Sequence, residues 1–295
     1  MYGTIDLSGG PVQIDGDSLE NESYHRDFPE YHSRGTTHSI FKMGGIAQRH
    51  LERGVSLFAG NAGTRKGSQF DYLFEQMTYG KKLEQLFVQP PAEVLTSNGQ
   101  RRGKAYEQWA QELAANGGME ATAAEVDLLR LMRDALLENQ AAVDLLDACT
   151  DCQRSVFWSD RAGHKRKARW DGATKDLVFD VKTTSSQWCD LHKSFDNFGY
   201  YWQAGWYSDS AYAVGFEPFQ MPFLCVQTVP PYECQVVTCP DEFVDRAREQ
   251  IARTLDVIEL RRETGEYLPE DYGVIKQLEI PAWAWKGIYQ DANAE

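Results

Sequence analysis

The stretch that decides the reading of this chain is Lys165-Arg166-Lys167-Ala168-Arg169-Trp170-Asp171-Gly172-Ala173-Thr174-Lys175-Asp176-Leu177-Val178-Phe179-Asp180-Val181-Lys182-Thr183-Thr184-Ser185-Ser186. It divides into two extended segments, 165–170 and 176–182, joined by the turn-rich Asp171-Gly172-Ala173-Thr174. The second segment has the β-branched and aromatic composition of a strand buried on one side, yet it carries Asp180 and Lys182 near its end. Alternate residues of a strand share a face, so these two project together, and a hairpin brings Asp171 towards them. Two carboxylates and a lysine converging at a strand end suit a divalent cation and a phosphodiester better than a core. An ion pair on an edge strand is the plain alternative.

The surrounding chain sets limits on that idea. With 295 residues, 42% of them hydrophobic, the chain is long enough for one large domain with a sizeable core. No apolar run reaches membrane-spanning length, and the polar, acidic, glycine-rich first 35 residues do not read as a signal peptide, so the cytoplasm is the expected compartment and no membrane partner is expected. The formal net charge of −14 argues against a protein that coats nucleic acid non-specifically, although a local basic groove can coexist with an acidic exterior. Basic groups cluster at Arg65-Lys66, Lys81-Lys82, Arg101-Arg102-x-Lys104 and Lys165-Arg166-Lys167-x-Arg169. Of these, Arg101, Arg102, Lys104, Lys165, Arg166, Lys167 and Arg169 are the candidates to face phosphates. The six cysteines read as free thiols; Cys149-x-x-Cys152 has the spacing of half a metal site, but two further ligands are lacking and no iron–sulfur cluster is expected.

In chain order, residues 1–35 read as an extended or partly ordered arm and residues 36–295 as one domain. Its first part, 36–150, is mainly helical. One helix starts near Thr37 and stops at Gly54, a second starts near Lys66 and turns Phe70, Leu73, Phe74 and Met77 inward with Asp71 beside them, and a third spans 105–115. Thr122-x-x-Glu125 forms a capping box ahead of Val126, Leu129, Met132, Leu136 and Leu137. The catalytic sheet and its helices occupy 151–265: a strand at 155–158, the two opening strands, and an aromatic helix over 197–213 whose Phe198, Tyr201, Trp202 and Trp206 are placed to pack on the sheet. Gln203 and Tyr207 share one face of that helix. Strands at 221–229 and 232–238 follow, then a helix capped by Asp241 with Phe243, Val244, Ala247, Ile251, Leu255 and Ile258 as its stripe, ending at Gly265. A tail, 266–295, closes the chain.

Trp170-Asp171 followed by Asp180-Val181-Lys182 resembles the PD-(D/E)XK nuclease signature, with tryptophan in place of the first proline. Ser155-Val156-Phe157-Trp158, Ala168-Arg169-Trp170-Asp171, Phe179-Asp180-Val181-Lys182-Thr183-Thr184, Tyr200-Tyr201-Trp202-Gln203 with Tyr207-Ser208-Asp209, and Ile275-Lys276-Gln277-Leu278 with Ile280-Pro281-x-Trp283-Ala284 look like segments of the RecE family, the exodeoxyribonuclease VIII C-terminal domain, in the same order. The resemblance covers nearly everything from Thr37 onward. It implies an α/β (α+β) fold with a restriction-endonuclease-like core, a central mixed β-sheet flanked by helices. It implies a Mg²⁺-dependent exonuclease, with Mn²⁺ as substitute, that degrades linear double-stranded DNA from its 5′ ends for recombination, assembled as a ring-shaped homo-oligomer with a single-strand annealing partner.

The implied roles follow residue by residue. Asp171, Asp180 and Lys182 are catalytic; Asp71, Asp171, Asp180 and the Val181 carbonyl are the metal ligands; Gln203 and Tyr207 match a supporting Q-x-x-x-Y element. Two positions depart from the family's pattern. Gly67-x-x-x-Asp71 stands where a histidine is usual, and aspartate suits Mg²⁺ as a harder donor. Gln153 stands where a glutamate is usual, so another acid, with Glu107 a candidate, has to supply that charge. The other enzymatic reading is an endonuclease or single-strand nuclease of the same superfamily. The contrasting one is a DNA-end-binding assembly protein with a degenerate site.

Overall fold

The computed structural model describes residues 5–20, 23–24, 28, 30–55, 62–270, 272–275 and 277. In chain order these form β1 (Val12–Ile14), β2 (His32–Ser33), α1 (Arg34–Glu52), α2 (Ala62–Thr78), α3 (Leu83–Leu86), β3 (Phe87–Val88), α4 (Lys104–Ala115), β4 (Met119–Glu120), α5 (Ala123–Glu138) and α6 (Gln140–Ala148). Then come β5 (Asp151–Ser159), β6 (Lys165–Ala173), β7 (Val178–Thr184), α7 (Leu191–Phe198), α8 (Tyr200–Ala213), β8 (Pro222–Gln227), β9 (Cys234–Thr238) and α9 (Asp241–Thr264). The tail motif at 278–285 lies outside the described residues. Among those described, no helix is long and apolar enough to cross a membrane.

The central sheet runs β1-β5-β6-β7-β8-β9, with β2 added alongside β6. β5, β6 and β7 form the expected antiparallel meander, whereas β7 and β8 pair in parallel, which requires the α7–α8 crossover between them. Helices cover both faces, so the architecture is the expected mixed α/β sheet. On one side α2, α5 and α6 bring Phe70, Phe74, Leu129, Met132 and Leu136 against Phe179, Val181 and Leu224. On the other, Trp202 and Trp206 of α8 and Ile251 and Leu255 of α9 pack on Val156, Trp158, Ala168 and Trp170. The capping box forms as read: the Thr122 hydroxyl accepts from the Glu125 amide at 3.2 Å and the Glu125 carboxylate accepts from the Thr122 amide at 2.8 Å.

Four local expectations are corrected. The turn is displaced: β6 continues through Asp171 to Ala173, because Gly172 and Ala173 still pair with Phe179 and Val178, and the turn falls at 174–177. The 197–213 helix is two helices, divided where Gly199 adopts the left-handed φ of 64°. That break turns Phe198 outward, 57% exposed, while Trp202 and Trp206 are buried; Leu137 and Phe243 are likewise outside their stripes. Finally, the first 35 residues, where described, are built into the fold. β1 pairs with β5, and Leu19, Tyr24, Phe28 and Tyr31 bury themselves around Phe157.

Strict alternation fails at one place, and it matters for the site. Cys152 packs in the α2-side core, yet Val156 and Trp158, at even spacings from it along β5, pack in the α8-side core. Residues at even spacings of a regular strand share a face, so the strand must turn over between them. Gln153 supplies the turn, with a left-handed φ of 55° that a non-glycine residue adopts only under local constraint. Opposite it, Gly172 lies flat under Phe179, where a Cβ would sit 2.1 Å from the ring. Gly172→Ala therefore lowers the thermal midpoint, by the roughly 1–3 kcal/mol that overpacking costs. Gly35→Ala, at a position with nothing within 4 Å, serves as the neutral control in the same denaturation series.

Candidate active site

Asp171 sits where β6 and β7 stop pairing. Its Oδ2 accepts the Val181 amide at 2.9 Å, taking the place of the next ladder acceptor. The separation leaves a gap beside Asp180, which is 1% exposed and ion-paired with Lys182 two residues along the strand. The Gln203 side-chain amide donates to the other oxygen of Asp180, and Arg34 Nη2 donates to the Gln203 carbonyl at 2.7 Å. Arg34, Gln203, Asp180 and Lys182 thus form one chain of charge-assisted hydrogen bonds from α1 across α8 to β7. Such a chain fixes both oxygens of the buried carboxylate.

Two cavities open on this centre. One, of about 540 Å³, is lined by Asp71, Glu75, Gln153, Asp171, Gln203 and Tyr207 together with Arg34, Lys167 and Arg169. The other, of about 880 Å³, is lined by Lys182, Lys66 and a row of hydroxyls that includes Thr183, Thr184, Ser186 and Thr228. They share Arg34, Ser68 and Asp71, so Asp71 stands at the junction.

The electrostatics are those of crowded acids. Burial, then the neighbouring Asp171, raises the Asp180 carboxyl to about 8, against the pull of Lys182. Burial followed by Asp171 lifts Asp71 well above the usual carboxylate range. Tyr207 is raised by burial and by the same two carboxylates, Asp180 and Asp171. At Lys182 burial opposes the charged form, but Asp180 and Asp171 overcome it and hold the ammonium above its ordinary value. Lys182 is therefore a fixed cation at neutral pH rather than a ready base. Among the described residues no three His, Cys, Asp or Glu side chains are gathered as for an ion. The donor chemistry of Asp71, Asp171, Asp180 and the Val181 carbonyl nonetheless fits a hard divalent cation, because these oxygens repel one another in a site with one ammonium to balance them.

The sequence-derived candidates separate into two groups. Asp71, Asp171, Lys182, Gln153, Gln203 and Tyr207 all line the cavities, with Asp180 just beneath them. Gln153 uses its amide as a linker. Its nitrogen donates to Asp171 at 3.4 Å, and its oxygen accepts from Arg169 Nε at 3.2 Å. Lys167 and Arg169 reach the first cavity, anchored by the backbone carbonyls of Tyr24, Phe28 and Leu19 at 2.8, 3.0 and 2.7 Å; burial lowers Lys167 to about 8. Lys165 is exposed above the Tyr31 ring.

Arg166 does not face the site. It lies on the opposite face of β6 between the Trp158 and Trp206 rings, bonded to Asp209 at 3.2 Å. Arg101 pairs with Glu120 at 2.8 Å, and neither it nor Arg102, Lys104 or the acid Glu107 lines either cavity. The sequence reading missed Arg34, Glu75 and Tyr24. Glu75 had a signal, since it stands one helical turn beyond Asp71 and so on the same face of α2.

Comparison with known proteins agrees with this architecture. A structure from Eubacterium rectale, assigned provisionally as an exonuclease, superposes with a TM-score of 0.59 at 14% identity over 94% of this chain and 98% of that one. An alkaline exonuclease, LHK-Exo, from Laribacter hongkongensis aligns over 65% of this chain and 97% of its own, at 15% identity and a TM-score of 0.29, too low to bear on the fold. No curated protein matches the chain. The model of a PDDEXK-like domain of unknown function, DUF3799, matches residues 67–273, which hold Asp71, Asp171, Asp180 and Lys182. By that match, and by the mixed sheet that carries those residues, the chain belongs to the DUF3799 family of PDDEXK-like domains.

Proposed function

We propose that this chain is a divalent-cation-dependent deoxyribonuclease, an exonuclease that hydrolyses linear double-stranded DNA from 5′ to 3′ and leaves single strands for recombination. The observation that carries the reading is the meeting of Asp171, Asp180 and Lys182 where β6 and β7 part, at the edge of a cavity that also presents Lys167, Arg169 and Arg34. Carboxylates for a cation and ammonium or guanidinium groups for phosphate occur on one wall, although the chain as a whole is strongly acidic. The degradative polarity, the ring-shaped oligomer and the single-strand annealing partner rest on the resemblance to RecE-type enzymes.

Asp71, Asp171, Asp180 and the Val181 carbonyl would hold Mg²⁺ or Mn²⁺, which supplies a water acidic enough to attack at neutral pH and neutralises the phosphate. The protein's own contribution is positional. Gln203 and Arg34 fix the Asp180 carboxylate, and the Val181 amide and Gln153 fix Asp171. Lys182 remains protonated, so it donates to the attacking water and to a phosphate oxygen and offsets the charge that builds at phosphorus. Lys167 and Arg169 hold the backbone of the strand being cut.

Purified protein with Mg²⁺ should shorten 5′-labelled linear duplex from the labelled ends and leave covalently closed circles intact; no degradation of any linear substrate overturns the proposal, and cutting of circles favours the endonuclease alternative. Asp180→Ala and Lys182→Ala should each abolish digestion. Gln203→Ala, which releases one Asp180 oxygen, should lower the rate or the Mg²⁺ affinity by about 10–100-fold, the usual size of an effect on residues that support a metal ligand.

Cation-free protein should also report the crowding directly. The Asp180 carboxyl is raised to about 8 in the folded state, from about 4 in an unfolded chain. Its contribution to stability is thus present in full below pH 4 and is lost as the pH climbs to 8. In EDTA the melting temperature should fall across that window. Mg²⁺ at pH 8 should restore it, and Asp180→Asn should flatten the dependence.

A further inference from the structure

Cys149 and Cys152 take no part in the chemistry above, yet their sulfurs lie 3.6 Å apart in hydrogen-bond contact. Cys149 ends α6 and is half-buried; Cys152 is buried in β5, its sulfur 3.7 Å from the Thr78 hydroxyl at the end of α2. The Thr150 amide between them is tied to the Ala173 carbonyl at 2.8 Å, which holds the short connection against the end of β6. Two thiols held this way differ from the buried Cys225, Cys234 and Cys239, which have no sulfur–sulfur hydrogen bond given for them among the described residues. The thiolate is the reactive form of cysteine, and the hydrogen bond from Cys152 holds the Cys149 thiol below its ordinary value.

We propose that Cys149 and Cys152 are a reversible oxidation site, closing to an intramolecular disulfide under peroxide and reopening under a dithiol. The half-exposed Cys149 thiolate attacks one peroxide oxygen, breaking the O–O bond to give a sulfenic acid and, after protonation, water. The Cys152 thiol then displaces the sulfenic hydroxyl as a second water and forms the S–S bond, so that two thiols and one hydrogen peroxide yield one disulfide and two waters. The sulfurs must close from 3.6 Å to about 2.05 Å. That movement draws on the backbone of Cys152, and the next residue is Gln153, the left-handed residue whose amide bonds Asp171. The oxidation state is therefore registered one residue from the acidic centre. Because the loop being closed is so short, the bond constrains the unfolded chain little, and chemistry rather than melting temperature is the readout.

The test treats the folded full-length chain with graded hydrogen peroxide, then counts thiols with Ellman's reagent under denaturing conditions and maps peptides by mass spectrometry. The expected result is a stage with two fewer thiols than the six of the reduced chain, an intact mass lower by two hydrogen atoms, and a Cys149–Cys152 cross-linked peptide that dithiothreitol reverses. Cys149→Ser should lose the cross-link and retain Cys152 as a free thiol. The proposal is overturned if peroxide sufficient to oxidise the exposed Cys189 leaves the two unlinked, or carries Cys149 to sulfinic acid without a cross-linked stage. Both outcomes are independent of whether the chain cleaves DNA.

Discussion

A carboxylate at 1% exposure is tolerated only if something compensates its charge, and the arrangement around Asp180 follows from that requirement. Lys182 is on the same face of the same strand, so the compensation is local to three residues of sequence. It is incomplete, because Asp171 stands across the gap and opposes ionisation. The remaining oxygen is met by Gln203 from α8, which in turn needs Arg34 from α1. Three separate elements are therefore locked to one another by the need to satisfy one buried acid, and the parting of β6 and β7 is what gives them a place to meet.

The strands achieve that parting through a fault in their own regularity. Had β5 and β6 kept strict alternation, the residues around Asp171 would have continued the ladder to β7 and the two acids would have been ordinary cross-strand neighbours. The reversal at Gln153 changes which face the ends of the strands present, and Asp171 uses its side chain where a backbone carbonyl would otherwise accept. Glutamine at this position is compatible with the role, since its amide bridges Asp171 and Arg169 and so keeps the acid and the base apart.

Much of this was legible in the sequence, for identifiable reasons. Asp171, Asp180 and Lys182 lie within one hairpin, and Gln203 and Tyr207 within one helical turn, so short-range periodicity places them. The capping box at Thr122 and the stripes of α5 and α9 are local as well. Arg34 was not legible, because nothing near it in sequence announces a partner more than a hundred residues away. Arg166 was misread for a related reason: it sits in a basic run, but alternation sends it to the opposite face of its neighbours, into a slot between two tryptophans. The first 35 residues were read from composition as an arm, and composition says nothing of the four buried side chains that clasp Phe157.

That N-terminal clasp bears on where the functional unit begins. The family match starts at residue 67, yet Tyr24, Ser33 and Arg34 form part of the cavity wall, and the carbonyls that anchor Lys167 and Arg169 come from residues 19 to 28. The acids that would carry out chemistry and the segment that aims the basic groups at a substrate are thus encoded in different stretches of chain. Changes in the first stretch alter whether a bond is broken; changes in the second alter what is admitted, leaving the reactive centre untouched. A protein trimmed to the family boundary would retain its acids and lose the wall that gives them a shaped opening.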